Sequence, residues 1–305
     1  MRGVTFSVVA GVLLSALLGC QEKGETVIAE SGKPVVYVPV APYEYVFEKI
    51  AGDLVDIQVI VGEGDDPHSY SPTPLQVASM SKSQLICSGE LGFEGNYFVM
   101  TGEGDDAPRE LMLLEGLDLL EGHCDHPSHQ TETTEDDHDH DHEDLNDPHV
   151  WLSPSMLSAQ SENIAASLKG LLSEEADKGK IDQNLAAFQK ELDAIDAELK
   201  EQLSAHQGTK FYVYHGAFAY FGRDYGVEQV ALEIGNRKPT PQVLADMAKQ
   251  AKADNAELIF VQPQFDQSSA QALAESIGGR IEVLDPLEKD IIANLRAIAN
   301  AIKGG

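Results

Sequence analysis

Leu185, Phe188, Leu192, Ile195, Leu199 and Leu203 recur at steps of three and four, so one apolar stripe runs along a single long helix. Over roughly 25 residues at 1.5 Å each, that helix would be about 38 Å long, close to the diameter of a domain. It divides the sequence into two similar halves. Upstream, VVYVPV (35 to 40), DIQVIV (56 to 61) and QLICS (84 to 88) read as short buried strands, separated by helical stretches such as PYEYVFEKIAG. Downstream, FYVYH (211 to 215), EQVAL (228 to 232), LIFVQ (258 to 262) and IEVL (281 to 284) repeat the pattern, with helices between them and at the C-terminus. Strands alternating with helices favour parallel sheets. The expected fold class is therefore α/β, with two lobes, each a mostly parallel sheet flanked by helices, joined by one long rigid helix. The expected boundaries are an N-terminal lobe over 34–178, a linker helix over 179–206 and a C-terminal lobe over 207–305.

The N-terminus, MRGVTFSVVAGVLLSALLGC, has one basic residue, an apolar stretch from Val8 to Leu18, then Gly19 and Cys20. That stretch is too short for a typical spanning helix and has the form of a secretory signal over 1–20. A small residue before cysteine resembles a bacterial lipobox, with Cys20 as the lipidated residue. Residues 21–33 then read as a flexible tether. A lipid-anchored protein on the periplasmic or extracellular face of the cell membrane is expected, held to the membrane by its N-terminal lipid alone. Of the other two cysteines, Cys87 within LICS reads as a buried strand residue, and Cys124 within HCDH as a loop thiol or soft metal ligand.

Asp and Glu number 51 against 21 Lys and Arg, a formal net charge of -30. So acidic a chain is repelled by nucleic-acid phosphates and raises the local concentration of cations, so nucleic acid is excluded as a partner. The acidity peaks over 123–148, a stretch crowded with His, Asp, Glu, Ser and Thr, and no Lys or Arg occurs from Glu110 to Leu168. This insertion has too little apolar surface to order itself without metal. Its histidines His123, His126, His129, His138, His140 and His142 form an accessory set suited to several weakly held ions, released as imidazoles protonate.

Three other histidines each follow a strand or loop end: His68 in GDDPHSYSPTP, His149 in NDPHVWLSP and His215 in FYVYHGAFAYF. His206, at the end of the long helix among polar neighbours, reads as structural. The first two share Asp-Pro-His, in which proline stiffens the backbone that presents the imidazole. His215 ends an apolar strand, where open α/β sheets bind ligands. Three imidazoles suit zinc, copper, nickel or iron, and a carboxylate or water completes a tetrahedron. Asp285, in EVLDPLEKD, is the fourth candidate, competing with Asp266, Glu233 and Glu63 and with a plain turn-forming role before Pro286.

These motifs, in this order, resemble the metal-specific solute-binding lipoproteins of bacterial ABC importers, the zinc and manganese cluster A-I group, and come nearest to its zinc-uptake branch. IAGDLVDIQVIVGEGDDPHSYSPTP, DPHVWLSP and YHGAFAYFGRDYG carry the three ligand motifs, and SGELGFEGNYF and GNRKPTPQVLADMAKQAKADNAELIFVQPQF are similar to further family segments, so the resemblance runs from Val35 to the C-terminus. It implies a metal cleft between the lobes, with His68 and His149 from the first lobe and His215 from the second. Asp285 falls where manganese-type members place a carboxylate. Gln262 departs from the glutamate of many members, which removes a charge near the cleft. The His-rich insertion matches zinc-type members, so the implied cargo is Zn²⁺, with Mn²⁺ as the alternative. The implied partners are an ABC permease and its ATPase, and a monomer without catalysis is expected. A manganese or iron importer subunit and a secreted zinc hydrolase are the competing readings; against the hydrolase, there is no HExxH helix.

Overall fold

The computed structural model describes residues 32–94, 107–122, 146–233, 239–265 and 267–304. Each half of these residues forms a four-stranded sheet whose paired strands are all parallel. In the first, β1 (Val35–Val38), β2 (Asp56–Val59), β3 (Leu85–Ser88) and β4 (Arg109–Met112) lie in the order β2-β1-β3-β4. In the second, β5 (Lys210–Val213), β6 (Glu228–Ala231), β7 (Leu258–Val261) and β8 (Arg280–Val283) repeat it as β6-β5-β7-β8. The central strands β3 and β7, LICS and LIFV, are buried at every position, because helices cover both faces of a parallel sheet.

The order reverses between β1 and β3 and again between β5 and β7, and those two switch points are where an open α/β sheet leaves a crevice. The loops after β3, β5 and β7 carry Leu91, His215 and Gln264, all of which line one cavity.

The apolar stripe forms the 29-residue helix Glu175–Leu203, followed by a 3₁₀ turn, Ser204–His206. It buries Ile181, Phe188, Leu192, Ile195, Leu199 and Leu203. On one side it packs against the helices Ala41–Ala51 and Pro154–Leu171 of the first lobe, and on the other against Ile291–Gly304 of the second. Arg296 from that last helix grips Glu198 at 2.8 and 3.1 Å, so the linker is tied to both lobes. One apolar core consequently runs from Val36 through Phe188 to Leu295.

Hydrogen bonds also cross between the lobes. Trp151 Nε1 donates to the Pro286 carbonyl at 2.9 Å, and the Tyr220 hydroxyl donates to the Asp147 carbonyl at 2.8 Å. The Ser153 hydroxyl meets the Asp224 carboxylate. β4 has no counterpart in the sequence reading: its segment, RELM, buries only Leu111, since it forms the sheet edge. Cys87 is fully buried in β3, as its strand reading requires. Among the described residues, no helix is long and apolar enough to cross a membrane. The signal and lipobox with Cys20, and the insertion with Cys124, lie outside the described residues.

Candidate metal centre

Both Asp-Pro-His motifs fold the same way. The carboxylate of Asp66 accepts the His68 N–H at 2.9 Å, and that of Asp147 accepts the His149 N–H at 2.9 Å. Each is a turn in which an aspartate bonds the backbone two residues on, and the intervening proline has no N–H to compete. The second motif adds a bond: Asp147 Oδ1 also lies 2.7 Å from His149 Nδ1. Burial by itself would raise the Asp147 carboxyl, but the His149 ring and N–H hold it below its ordinary value.

His215 is fixed differently, because it leaves β5 with no proline before it. Gln262, fully buried beyond β7, accepts its N–H at 3.0 Å and donates to its carbonyl at 2.9 Å. Glu233 Oε2 lies 2.9 Å from His215 Nδ1, and the Phe265 ring stacks on the imidazole at 4.9 Å.

A carboxylate on Nδ1 selects the tautomer with the proton there and leaves Nε2 as a lone-pair donor. That is the face the imidazoles share. His68 Nε2 lies 3.1 Å from His215 Nε2, which lies 3.3 Å from His149 Nε2. Three nitrogens held about 2.05 Å from a tetrahedral zinc ion would stand roughly 3.3 Å apart, so these separations fit such an ion. Charge at the site also suits a cation. Burial, then the neighbouring imidazoles, push His68 down to about 2. Burial likewise lowers His215, although Glu233 opposes it. The Nε2 atoms of the three rings converge as a ready donor set. Pro67, Leu91, Trp151, Phe265, Pro286 and Leu287 wall the cavity with apolar surface, which strengthens electrostatic attraction inside it.

His68, His149 and His215 are the His, Cys, Asp or Glu side chains that come together as a metal-sized group among the described residues. Asp285 stands outside that group. Its Oδ1 accepts from Gln264 Nε2 and from the Leu287 N–H, each at 2.9 Å, the turn-forming role. Glu233 acts through His215 Nδ1 rather than at the shared face. Glu63 is exposed, and Asp266 lies outside the described residues. Sequence reasoning missed Asp147 and Gln262 as supports and Trp151 as a neighbour, its ring 5.2 Å from that of His149. The Asp-Pro-His repeat itself carried the signal for Asp147.

His123, His126, His129, His138, His140 and His142 lie outside the described residues, but the neck of their insertion does not. Glu121 pairs with Asn146 in an antiparallel bridge, and Asp147 N–H donates to the Leu120 carbonyl at 2.9 Å. The Tyr220 hydroxyl accepts from the Leu120 N–H at 3.0 Å while donating to Asp147.

Against known proteins, residues 36–305 match the family model described as ZnuA, zinc-uptake complex component A, periplasmic. The high-affinity zinc uptake system protein ZnuA of Bacillus subtilis is 26% identical over 288 residues, covering 93% of this chain and 88% of that protein. The zinc-binding lipoprotein AdcA of Streptococcus pneumoniae is 29% identical over 81% of this chain, which spans 48% of that longer protein. Among solved structures, a crystal structure of ZnuA superposes with a TM-score of 0.78 at 32% identity, covering 90% of this chain and 99% of that one. A zinc-bound ZnuA deletion mutant superposes with a TM-score of 0.76, also at 32% identity, covering 88% of this chain and 96% of that one.

Proposed function

The chain belongs to the zinc-uptake complex component A family, and on that premise we propose that it captures Zn²⁺ in the cleft between its lobes and hands it to a membrane permease driven by an ATPase. The observation that carries this reading is the meeting of three Nε2 atoms from two lobes at 3.1 and 3.3 Å, a spacing suited to one tetrahedral ion. His68, His149 and His215 are the ligands. The family is one of solute-binding proteins, and the function requires no chemical step. The carboxylates of Asp147 and Glu233 are each engaged by an imidazole Nδ1, where they orient ligands instead of serving as a base.

The export signal and lipobox support a protein anchored through Cys20 on the extracytoplasmic face, and the lipoprotein relative supports the same placement. The six histidines of the insertion act as an accessory reservoir of weaker sites. Because the long helix and the bonds across the lobes limit hinge motion, release occurs by small shifts of lobes and loops when the permease docks.

Competitive titration calorimetry with Zn²⁺ and Mn²⁺ tests the reading on the mature chain, intact and without residues 123–144. One tight zinc event should survive loop removal, resist manganese, and disappear in His68→Ala, His149→Ala and His215→Ala. Full affinity in any of those three variants, or equal competition by manganese, would sink the assignment.

A further inference from the structure

Gln264 lines the same cavity as the three imidazoles, and its two amide atoms are used unequally. Nε2 donates to Asp285 Oδ1 at 2.9 Å. Oε1 is shielded from solvent and has no hydrogen-bond partner among the described residues. Chemistry fixes this orientation, because the opposite one would set an amide oxygen against a carboxylate. A buried acceptor without a donor is an uncommon arrangement in a folded protein and invites an explanation. Here the cavity supplies one, since it is where a cation belongs.

Asp285 meanwhile is held on several sides. Its Oδ1 takes the Leu287 N–H as well as the Gln264 amide, and its own carbonyl accepts from Asn294 Nδ2 at 2.9 Å. Its neighbours Pro286 and Leu287 line the cavity, so Asp285 is a carboxylate beside the cleft, restrained by a residue that itself lines the cleft.

We infer that Gln264 is a specificity-determining residue of this site: its Nε2 holds the Asp285 carboxylate aside, and its uncharged Oε1 is the oxygen that faces the bound ion. The inference rests on the zinc-capture reading and deepens it. The ion then meets three neutral imidazoles and a neutral oxygen, a set that suits zinc, whereas manganese prefers charged oxygen ligands. The residue that would favour manganese is present and kept out of reach.

The test compares wild type, Gln264→Leu, Asp285→Asn and the double variant by Mn²⁺ competition against Zn²⁺, and by the visible absorption of the Co²⁺-loaded proteins. Gln264→Leu keeps the side chain's bulk while removing both polar atoms. It should strengthen manganese binding relative to zinc by roughly tenfold or more, the scale at which groups behind the ligands tune a metal site. Its cobalt spectrum should change as Oε1 is lost, and in the double variant Asp285→Asn should cancel the manganese gain. If Gln264→Leu fails to fold, Gln264→Asn, too short to reach Asp285, carries the same expectation. A zinc-to-manganese ratio within twofold of wild type in Gln264→Leu, an unchanged cobalt spectrum there, persistence of the manganese gain in the double variant, or loss of zinc affinity in Asp285→Asn alone as severe as in a histidine variant would each overturn the inference. Failure of the zinc-capture reading shows separately, as the absence of histidine-dependent tight zinc binding in the wild-type chain.

Discussion

Gln262 closes on the backbone of His215 from both sides, its Oε1 taking the N–H at 3.0 Å and its Nε2 giving a bond to the carbonyl at 2.9 Å. A carboxamide can do both, whereas an ionised carboxylate can only accept. An ionised glutamate would set an acceptor against the carbonyl, so a glutamate here would keep a proton to avoid doing so. Gln262→Glu is expected to cost about 1–3 kcal/mol at neutral pH, the penalty of an unmet buried group. A proton-binding acid in the folded state loses stability as pH rises, so the defect should shrink on acidification. Urea denaturation of the metal-free protein at pH 5 and pH 8 measures it; equal defects at both would refute the argument.

The two Asp-Pro-His turns make unequal demands on their aspartates. Asp66 bonds the backbone of its histidine, whereas Asp147 bonds both backbone and ring. Asp147→Ala should therefore weaken zinc binding by roughly 10- to 100-fold, and Asp66→Ala by less. Glu233→Ala should resemble Asp147→Ala, since it too frees an imidazole Nδ1. Chelator competition ranks the three, and an Asp66 defect as large as that of Asp147 would contradict the geometry.

Trp151 joins the lobes through one bond to the Pro286 carbonyl, in a buried setting. Trp151→Phe keeps an aromatic ring, though a smaller one, and strands that carbonyl, at an expected cost of about 1–3 kcal/mol from the lost bond. Faster zinc release should accompany it, read by stopped-flow transfer to a chelating dye. Unchanged stability and release would show that the bond does not restrain the lobes.

Two buried groups should give the metal-free protein opposing pH slopes. His68 is held down to about 2 from an ordinary 6.5, so the unfolded chain takes the proton first and stability falls as pH drops below 6.5. Glu94 is pushed up to about 7 from 4.5 by burial, despite hydrogen bonds from the Ser88 hydroxyl and the Gly89 N–H. Its folded form takes the proton first, so stability falls as pH rises from 4.5 toward 7. Denaturation of the chelated protein across pH 4 to 8 should show a flatter acid side in His68→Gln and a flatter neutral side in Glu94→Gln. A Glu94→Gln profile parallel to wild type would rule out that carboxyl as a source of the slope.

The periodicity that revealed the long helix and the apolar runs that revealed most of the strands are local signals, and local signals survive in sequence. β4 escaped because an edge strand buries little, and RELM looks like any surface segment. The three histidines were legible because proline and strand ends leave local marks. The supports of His215 were not, because Gln262 lies 47 residues away and an amide carries no motif. Asp285 illustrates the limit most plainly. Its place past a strand is a sequence fact, but the side of the turn its carboxylate faces is decided by Gln264 and the Leu287 N–H.

The neck of the insertion, closed by the bridge from Glu121 to Asn146 and cross-braced by Tyr220, fixes where the chain leaves the lobe and where it returns. Once two ends are pinned, the cost of a longer or shorter excursion between them grows only slowly with its length. The stretch can therefore be lengthened or shortened without disturbing the turn that presents His149. The histidines of the insertion and the grip of the cleft can thus be varied one without the other.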